Sequence, residues 1–299
     1  MGQPTAPLRD ALQKVAAEID AGFDALLAIP DDPRADLYRA MRHAAIGGGK
    51  RLRPLLVSAT ARLFDVPPER AIRAGLAIEA IHVYSLVHDD LPAMDDDDLR
   101  RGKPTVHKAY DEATAVLAGD CLHALAFEWL AEPATHPDAT VRAELVLDLA
   151  RAAGPSGMAG GQAMDLAAEG DRFDLGTVTR LQQMKTGALI SAAVEAGAIL
   201  GRADAHARTS LRGYAHDLGL AFQIADDLLD AEGDEELAGK KLRKDGEQGK
   251  ETFLSLLGVE RAREQCRMLV DQAVEHLRGW GEDADILRAV ARYAIERDR

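Results

Sequence analysis

The residues best suited to chemistry in this chain stand in two acidic clusters, Asp89-Asp90-Leu91-Pro92-Ala93-Met94-Asp95 and Asp226-Asp227-Leu228-Leu229-Asp230. Each is attached to an apolar, helix-like run, over residues 78–87 and 218–225. Carboxylates at the end of a buried helix are costly unless something positive meets them. At an effective dielectric of about 20, two unit charges about 5 Å apart repel by roughly 3 kcal/mol. Two such groups facing one cavity demand cations, and ligands that offer only oxygen point to Mg²⁺. Mg²⁺ keeps waters and shares its shell with substrate phosphates, so the pair of clusters points to a diphosphate substrate.

Spacing refines the picture. Asp226 and Asp230 are four residues apart and share a helix face, which sets their Cβ atoms about 5–6 Å apart. Asp227 is offset by one position, and Gln223, four residues before it, lies one turn deeper in the same groove. In the first cluster Pro92 interrupts helical hydrogen bonding, so Asp95 has to return from a turn to meet Asp89 and Asp90. One such motif is common on surface helices; two, each backed by an apolar helix, are more specific.

The cations come next. Gly47-Gly48-Gly49-Lys50-Arg51-Leu52-Arg53-Pro54 feeds three basic residues from a glycine turn into an apolar helix. It lacks the Walker spacing. Taken alone it reads either as a basic helix start or as a turn whose N–H groups, with Lys50 and Arg53, approach phosphate. Arg100 and Arg101 follow the first acidic cluster directly. His82, seven residues before Asp89, lies on nearly the same helix face; that alignment favours substrate contact over a hydrogen-bonded core role. Lys185-Thr186-Gly187 enters a buried helix, where the lysine needs a diphosphate or carboxylate partner. Residues 231–250 are glycine-punctuated and carry Lys240, Lys241, Arg243, Lys244 and Lys250. They read as a solvated loop or as a lid that closes on substrate.

The elements that position these groups read as helices. Leu8, Leu12, Val15, Ile19, Phe23 and Leu26 form a stripe at helical spacing, ended by Pro30-Asp31-Asp32-Pro33. Further breaks fall at Val66-Pro67-Pro68, Gly102-Lys103-Pro104, Gly154-Pro155-Ser156-Gly157 and Gly201-Arg202-Ala203-Asp204. No segment shows strand alternation. Residues 71–88 and 188–200 are apolar on most faces, which predicts wholly buried helices. The expectation is an all-α fold, a single domain over residues 1–299.

Composition narrows the function. The 299 residues are 47% hydrophobic and only 4% aromatic, and the net charge is −14. Such a field disfavours nucleic acid and repels an anionic substrate at long range, so diphosphate must be held by local Lys, Arg and metal ions. Cys121 and Cys266 lack metal-ligand spacing and read as free thiols in a reducing compartment. The chain has no apolar run long enough to span a membrane, and its N-terminus lacks a signal or myristoylation pattern; a cytoplasmic location is expected.

The stretch from His88 through Asp98-Leu99-Arg100-Arg101-Gly102-Lys103-Pro104-Thr105 resembles the first aspartate-rich motif of the trans-prenyl diphosphate synthases. Gly48-Gly49-Lys50-Arg51-Leu52-Arg53-Pro54, Lys185-Thr186-Gly187 and Phe222-Gln223-Ile224-Ala225-Asp226-Asp227-Leu228-Leu229-Asp230 resemble the other motifs in the family order. The match spans at least residues 47–250 and most resembles the bacterial farnesyl-forming members.

The resemblance implies ten or more helices around a deep central cavity, a homodimer, and three Mg²⁺ ions. Asp89, Asp95 and Asp226 would hold the metals, with Asp90, Asp227 and Asp230 adding direct or water-mediated contacts. Lys50, Arg53, His82 and Arg101 would hold isopentenyl diphosphate; Arg100, Lys185 and Lys240 would hold the allylic diphosphate. Thr186, Gln223 and the Lys185 main-chain carbonyl would face the allylic cation, and Lys250 matches a further lid lysine. Lys241 could exchange roles with Lys240. A terpene cyclase normally replaces the second motif, and a silent dimer subunit usually has damaged motifs; both are intact here.

Chain length rests on Tyr84, five residues before Asp89, or roughly 7.5 Å deeper along the helix axis. A stiff ring there acts as a floor to the growing chain, beside the small Ser85, and the resemblance associates an aromatic at this position with farnesyl diphosphate. Removing the floor would favour geranylgeranyl diphosphate; the bland alternative is that Tyr84 fills core or a dimer interface.

Overall fold

The computed structural model describes residues 4–168, 172–232 and 251–296. Polar caps and prolines set where its helices begin. α1 (Ala6–Leu26) carries the predicted stripe, with Leu8, Val15, Ile19 and Phe23 buried. It is followed by α2 (Ala35–Ala45), α3 (Leu52–Arg62) and α4 (Pro68–Asp89). After α5 (Val106–Ala109) come α6 (Glu112–Ala131), α7 (Ala139–Ala153), α8 (Met158–Ala167) and α9 (Leu175–Gln182). Asp111, Asp138 and Asp174 cap α6, α7 and α9 by accepting from Thr114, Thr140 and Thr177 N–H groups at 2.7–2.8 Å. Then follow α10 (Ala188–Leu200), α11 (Ala205–Glu232), α12 (Phe253–Leu257), α13 (Val259–His276) and α14 (Asp285–Glu296). The expected all-α architecture of ten or more helices is observed among the described residues.

The centre is built from α4, α10 and α3. α10 is buried along almost its whole length because Ala and Gly dominate it, so neighbours pack close to its axis. Its one carboxylate, Glu195, is only 4% exposed. Arg208 and Arg212 of α11 donate to it at 2.6–3.2 Å, which offsets the cost of burying the charge. α6 packs against α4, α7 against α10, and α13 against α11.

Two features depart from the helical reading. Leu99–Arg100 and Lys103–Pro104 form a small antiparallel hairpin, with Leu99 opposite Pro104. Arg101 and Gly102 form its two-residue turn at φ 53° and 75°, the left-handed pair that suits a tight hairpin. Strands of two residues are too short for alternation to announce them. The other feature is a π-helical segment, Gln183–Gly187, inserted between α9 and α10.

Candidate active site

The site is assembled where the C-terminal end of α4 meets the glycine turn, α8 and the π segment. α4 brings His82, Tyr84, Ser85 and Asp89 to a cavity of about 400 Å³, whose other walls include Arg53, Met158, Gln162, Lys185 and Thr186. The π segment delivers Lys185 and Thr186 side by side, a use of irregular helix common at functional sites. Gly161 of α8 permits this: a Cβ there would fall 2.2 Å from the Lys185 backbone nitrogen.

Asp89 is the last residue of α4. Burial pushes its carboxyl up to about 6, Asp95 and Asp90 push the same way, and Lys185 and Arg100 pull against them. The expected turn exists: Asp95 N–H donates to the Asp89 carbonyl at 2.8 Å, returning Asp95 to the end of the helix. Asp90 points elsewhere. It lines a small adjoining cavity with Arg100, Arg101, Gly47 and Gly48. Arg100 Nε donates to Asp90 Oδ1 at 2.7 Å. Burial opposes the Arg100 charge, yet its bonds and proximity to Asp90 leave its pKa raised.

On the second cluster, Asp226 and Asp230 are half-buried on α11, whereas Asp227 is buried. Thr186 Oγ1 donates to Gln223 Oε1 at 3.1 Å, Gln223 Nε2 donates to Asp227 Oδ1 at 3.2 Å, and Phe253 N–H donates to Asp227 Oδ2 at 3.0 Å. Both candidate cation-facing side chains therefore belong to one relay, and Asp227 anchors it to α12. The Asp226 charge is felt at Arg53, so α3, α4 and α11 address one region.

The cations surround His82. Burial, then the charges of Arg53, Arg101, Arg100 and Arg51, hold its imidazole well below its ordinary pKa, so it is neutral at physiological pH. Arg53 is itself lowered by burial, and its Nε is buried without a partner. Lys50 is exposed, with Nζ 5.8 Å from the centre of the Tyr293 ring of α14. Lys185 Nζ donates to Asp165 Oδ2 of α8 at 2.9 Å. Arg101 lies over the glycine turn: a Cβ on Gly49, where φ is 80°, would fall 2.6 Å from Arg101 Cζ. Lys103 Nζ reaches the Ile46 and Gly47 carbonyls at 3.3 and 3.4 Å, docking the hairpin on that turn. Lys240 and Lys250, with Lys241, lie outside the described residues.

Tyr84 lines the cavity, with its ring edge-on to His123 of α6 at 5.0 Å and to His88 at 5.8 Å. Ser85 Oγ turns back to the His82 carbonyl at 2.9 Å, leaving the aromatic ring as the bulky group at this depth.

Sequence reasoning missed Asp165, Gln162, Glu79 and Asp20. Glu79 could have been found, because a carboxylate inside a buried apolar helix requires a cation; here Arg51 Nη1 donates to it at 2.8 Å. Asp165 and Gln162 follow Gly160-Gly161, a close-packing signal. Asp20 gives no local signal.

Donor chemistry fits Mg²⁺. The available ligands at both clusters are carboxylates, and a half-buried Asp89, raised first by desolvation and then by Asp95 and Asp90, is a group that a cation would stabilise. Among the described residues no three His, Cys, Asp or Glu side chains form a ready-made metal cage.

Comparison with known proteins adds independent findings. The family model described as Polyprenyl synthetase matches residues 34–292. The chain is 44% identical over 296 residues to the farnesyl diphosphate synthase of Escherichia coli, covering 97% of this chain and 98% of that protein. It is 40% identical to the geranylgeranyl diphosphate synthase of Cyanophora paradoxa, over 90% of each. Among solved structures it is similar to an FPP/GFPP synthase from Zymomonas mobilis, with 58% identity, a TM-score of 0.90, and coverage of 97% of this chain and 99% of that one. No described helix is long and apolar enough to cross a membrane.

Proposed function

The chain belongs to the polyprenyl synthetase family, and from that premise we propose that it is a head-to-tail prenyltransferase joining isopentenyl diphosphate to dimethylallyl or geranyl diphosphate to give farnesyl diphosphate. The observation that carries this reading is the convergence of Asp89, Lys185, Arg53 and His82 on one cavity with Tyr84 along its wall.

Asp89, Asp95 and Asp226 would hold Mg²⁺, with Asp230 and, after rearrangement of their protein bonds, Asp90 and Asp227 in support. When bound, Mg²⁺ supplies Lewis-acid stabilisation of charge on the diphosphate. Lys185 and Arg100 bind the allylic diphosphate, and their charges favour cleavage of its C–O bond. The Thr186–Gln223 pair and the Lys185 main-chain carbonyl present dipoles to the allylic cation left behind. Arg53, Lys50, Arg101 and neutral His82 orient isopentenyl diphosphate so that its double bond attacks that carbon. The condensed cation then loses a proton to the released diphosphate; no side-chain base among the described residues is assigned this step. Apolar walls from Met158 and Leu166 keep water from the cation.

Lys240 and Lys250 belong to this reading as allylic-site and lid lysines. So do a cytoplasmic location and assembly as a homodimer, the latter supported by Val116 and Leu117 of α6 and Leu147 of α7, which are 41%, 52% and 50% exposed on the single chain. A longer product is the second reading, favoured by the relatives named geranylgeranyl diphosphate synthase. The test is incubation of the purified protein with Mg²⁺, isopentenyl diphosphate and each allylic primer. Farnesyl diphosphate as the end product supports the first reading, geranylgeranyl diphosphate the second, and no condensation overturns both.

A further inference from the structure

The cavity-facing stripe of α8 is Met158, Ala159, Gln162, Ala163 and Leu166. Four of these five are apolar, and the exception is a side chain only 9% exposed. Neither Oε1 nor Nε2 of Gln162 has a hydrogen-bond partner. This holds for either orientation of the amide, because both ends are bare. A buried amide without a partner carries its full desolvation penalty. Methionine or leucine would fill the same wall without that penalty, so packing alone gives no reason for the amide.

The neighbourhood shows where a partner would come from. Gly161 sets the α8 backbone against Lys185 immediately beside Gln162. Three residues on, Asp165 takes the Lys185 ammonium at 2.9 Å. Lys185, Thr186, His82 and Ser85 share the cavity with Gln162. The Thr186 hydroxyl is already spent on Gln223, and the Gln223 amide on Asp227. Gln162 is therefore a polar group held in reserve, facing the space in which the allylic chain must lie. A hydrocarbon chain offers it no hydrogen bond. A carbocation offers its carbonyl dipole an electrostatic partner, and does so only in the reacting state.

On the prenyltransferase reading above, we propose that Gln162 is a further catalytic residue, its side-chain carbonyl stabilising the allylic cation from the α8 wall. The bond made and broken are those of the condensation itself; Gln162 exchanges no proton and forms no covalent bond.

The test replaces Gln162 with Met, of similar length and without a dipole, and with Glu, which keeps an oxygen. Thermal midpoints are measured first, then kcat and both KM values with Mg²⁺, isopentenyl diphosphate and geranyl diphosphate. The same assay is run with 2-fluorogeranyl diphosphate, whose cation is less stable. We expect Gln162→Met to keep or raise the thermal midpoint and to lower kcat by about ten- to hundredfold. Both KM values should stay near wild type, the rate penalty for the fluorinated substrate should grow, and Gln162→Glu should recover part of kcat. A Met variant with wild-type kcat, or a loss of kcat with an unchanged fluorine penalty, overturns the assignment. Should Met fail to fold, Gln162→Leu, which also lacks a dipole, takes its place, and an unchanged fluorine penalty in it overturns the assignment. Wild-type condensation in these assays keeps the prenyltransferase reading standing whichever way Gln162 falls.

Discussion

Asp20 of α1 grips Arg51 at the end of the glycine turn: Arg51 Nη2 donates to Asp20 Oδ1 at 2.6 Å, while Asp20 Oδ2 accepts from Gly47 N–H at 3.1 Å. One carboxylate thus ties both ends of the turn that presents Lys50 and Arg53. Arg51 itself is 2% exposed and left-handed at φ 50°, a conformation that costs roughly 1–2 kcal/mol. Its bonds to Asp20, Glu79 and the Ala45 carbonyl offset that cost. Asp20→Ala should raise KM for isopentenyl diphosphate by about tenfold, the equivalent of one charge-assisted hydrogen bond. KM for the allylic substrate should change little. Steady-state kinetics with each substrate varied separately checks this, and equal rises in both would refute a role confined to the turn.

The acidic clusters make a sharper demand. Asp89→Asn and Asp226→Asn should each lower turnover by about a hundredfold or more, the scale of losing a metal's charge stabilisation. Their metal-free folds should remain intact, and Asp89→Asn should melt no lower than wild type because it removes a partly desolvated charge beside Asp90 and Asp95. Wild-type turnover at saturating Mg²⁺ in either variant would exclude the assigned role.

Division of labour between cations can be read from the two substrates. Arg53→Ala should raise KM for isopentenyl diphosphate by about ten- to hundredfold. Lys185→Ala should act on the allylic substrate or on its ionisation, although Lys185 is already shared with Asp165. An inverted pattern would mean that the two pockets are exchanged.

Tyr84 lies between the cavity and His123. Tyr84→Ala should extend the product from farnesyl towards geranylgeranyl diphosphate, as read by chromatography of the dephosphorylated alcohols. A folded, active variant that still stops at farnesyl would move the floor elsewhere and favour the packing role.

Away from the site, Asp148 of α7 is pushed up from 3.8 to about 6, by burial first and then by Glu195 and Glu144, against the pull of Arg208 and Arg212. A carboxyl raised on folding favours the folded state most where it is protonated. Its penalty is absent below about pH 4 and complete once pH has risen through about 6. Asp148→Asn should therefore stabilise the protein at pH 8 by about 1–3 kcal/mol, allowing for solvent screening, and by nothing measurable near pH 4. Urea titrations at the two pH values provide the comparison.

Much of this was written locally. The α1 stripe, the buried α10, the mostly buried α4 (half-buried at His82, Tyr84 and Ser85, where it faces the cavity) and the two aspartate motifs are readable because helical periodicity and short-range spacing act within a few turns of one chain. The same holds for the return of Asp95 to Asp89, which Pro92 and a short turn impose. Tertiary structure alone decided that Asp89 and Asp90, adjacent in sequence, face different cavities. It also decided that Asp227 is engaged by Gln223 and Phe253, that Asp20 secures a turn 27 residues away, and that a π segment aims Lys185 and Thr186 together. These relations join groups distant along the chain, and their geometry depends on how helices approach and on which charges share a low-dielectric space. No local pattern records either.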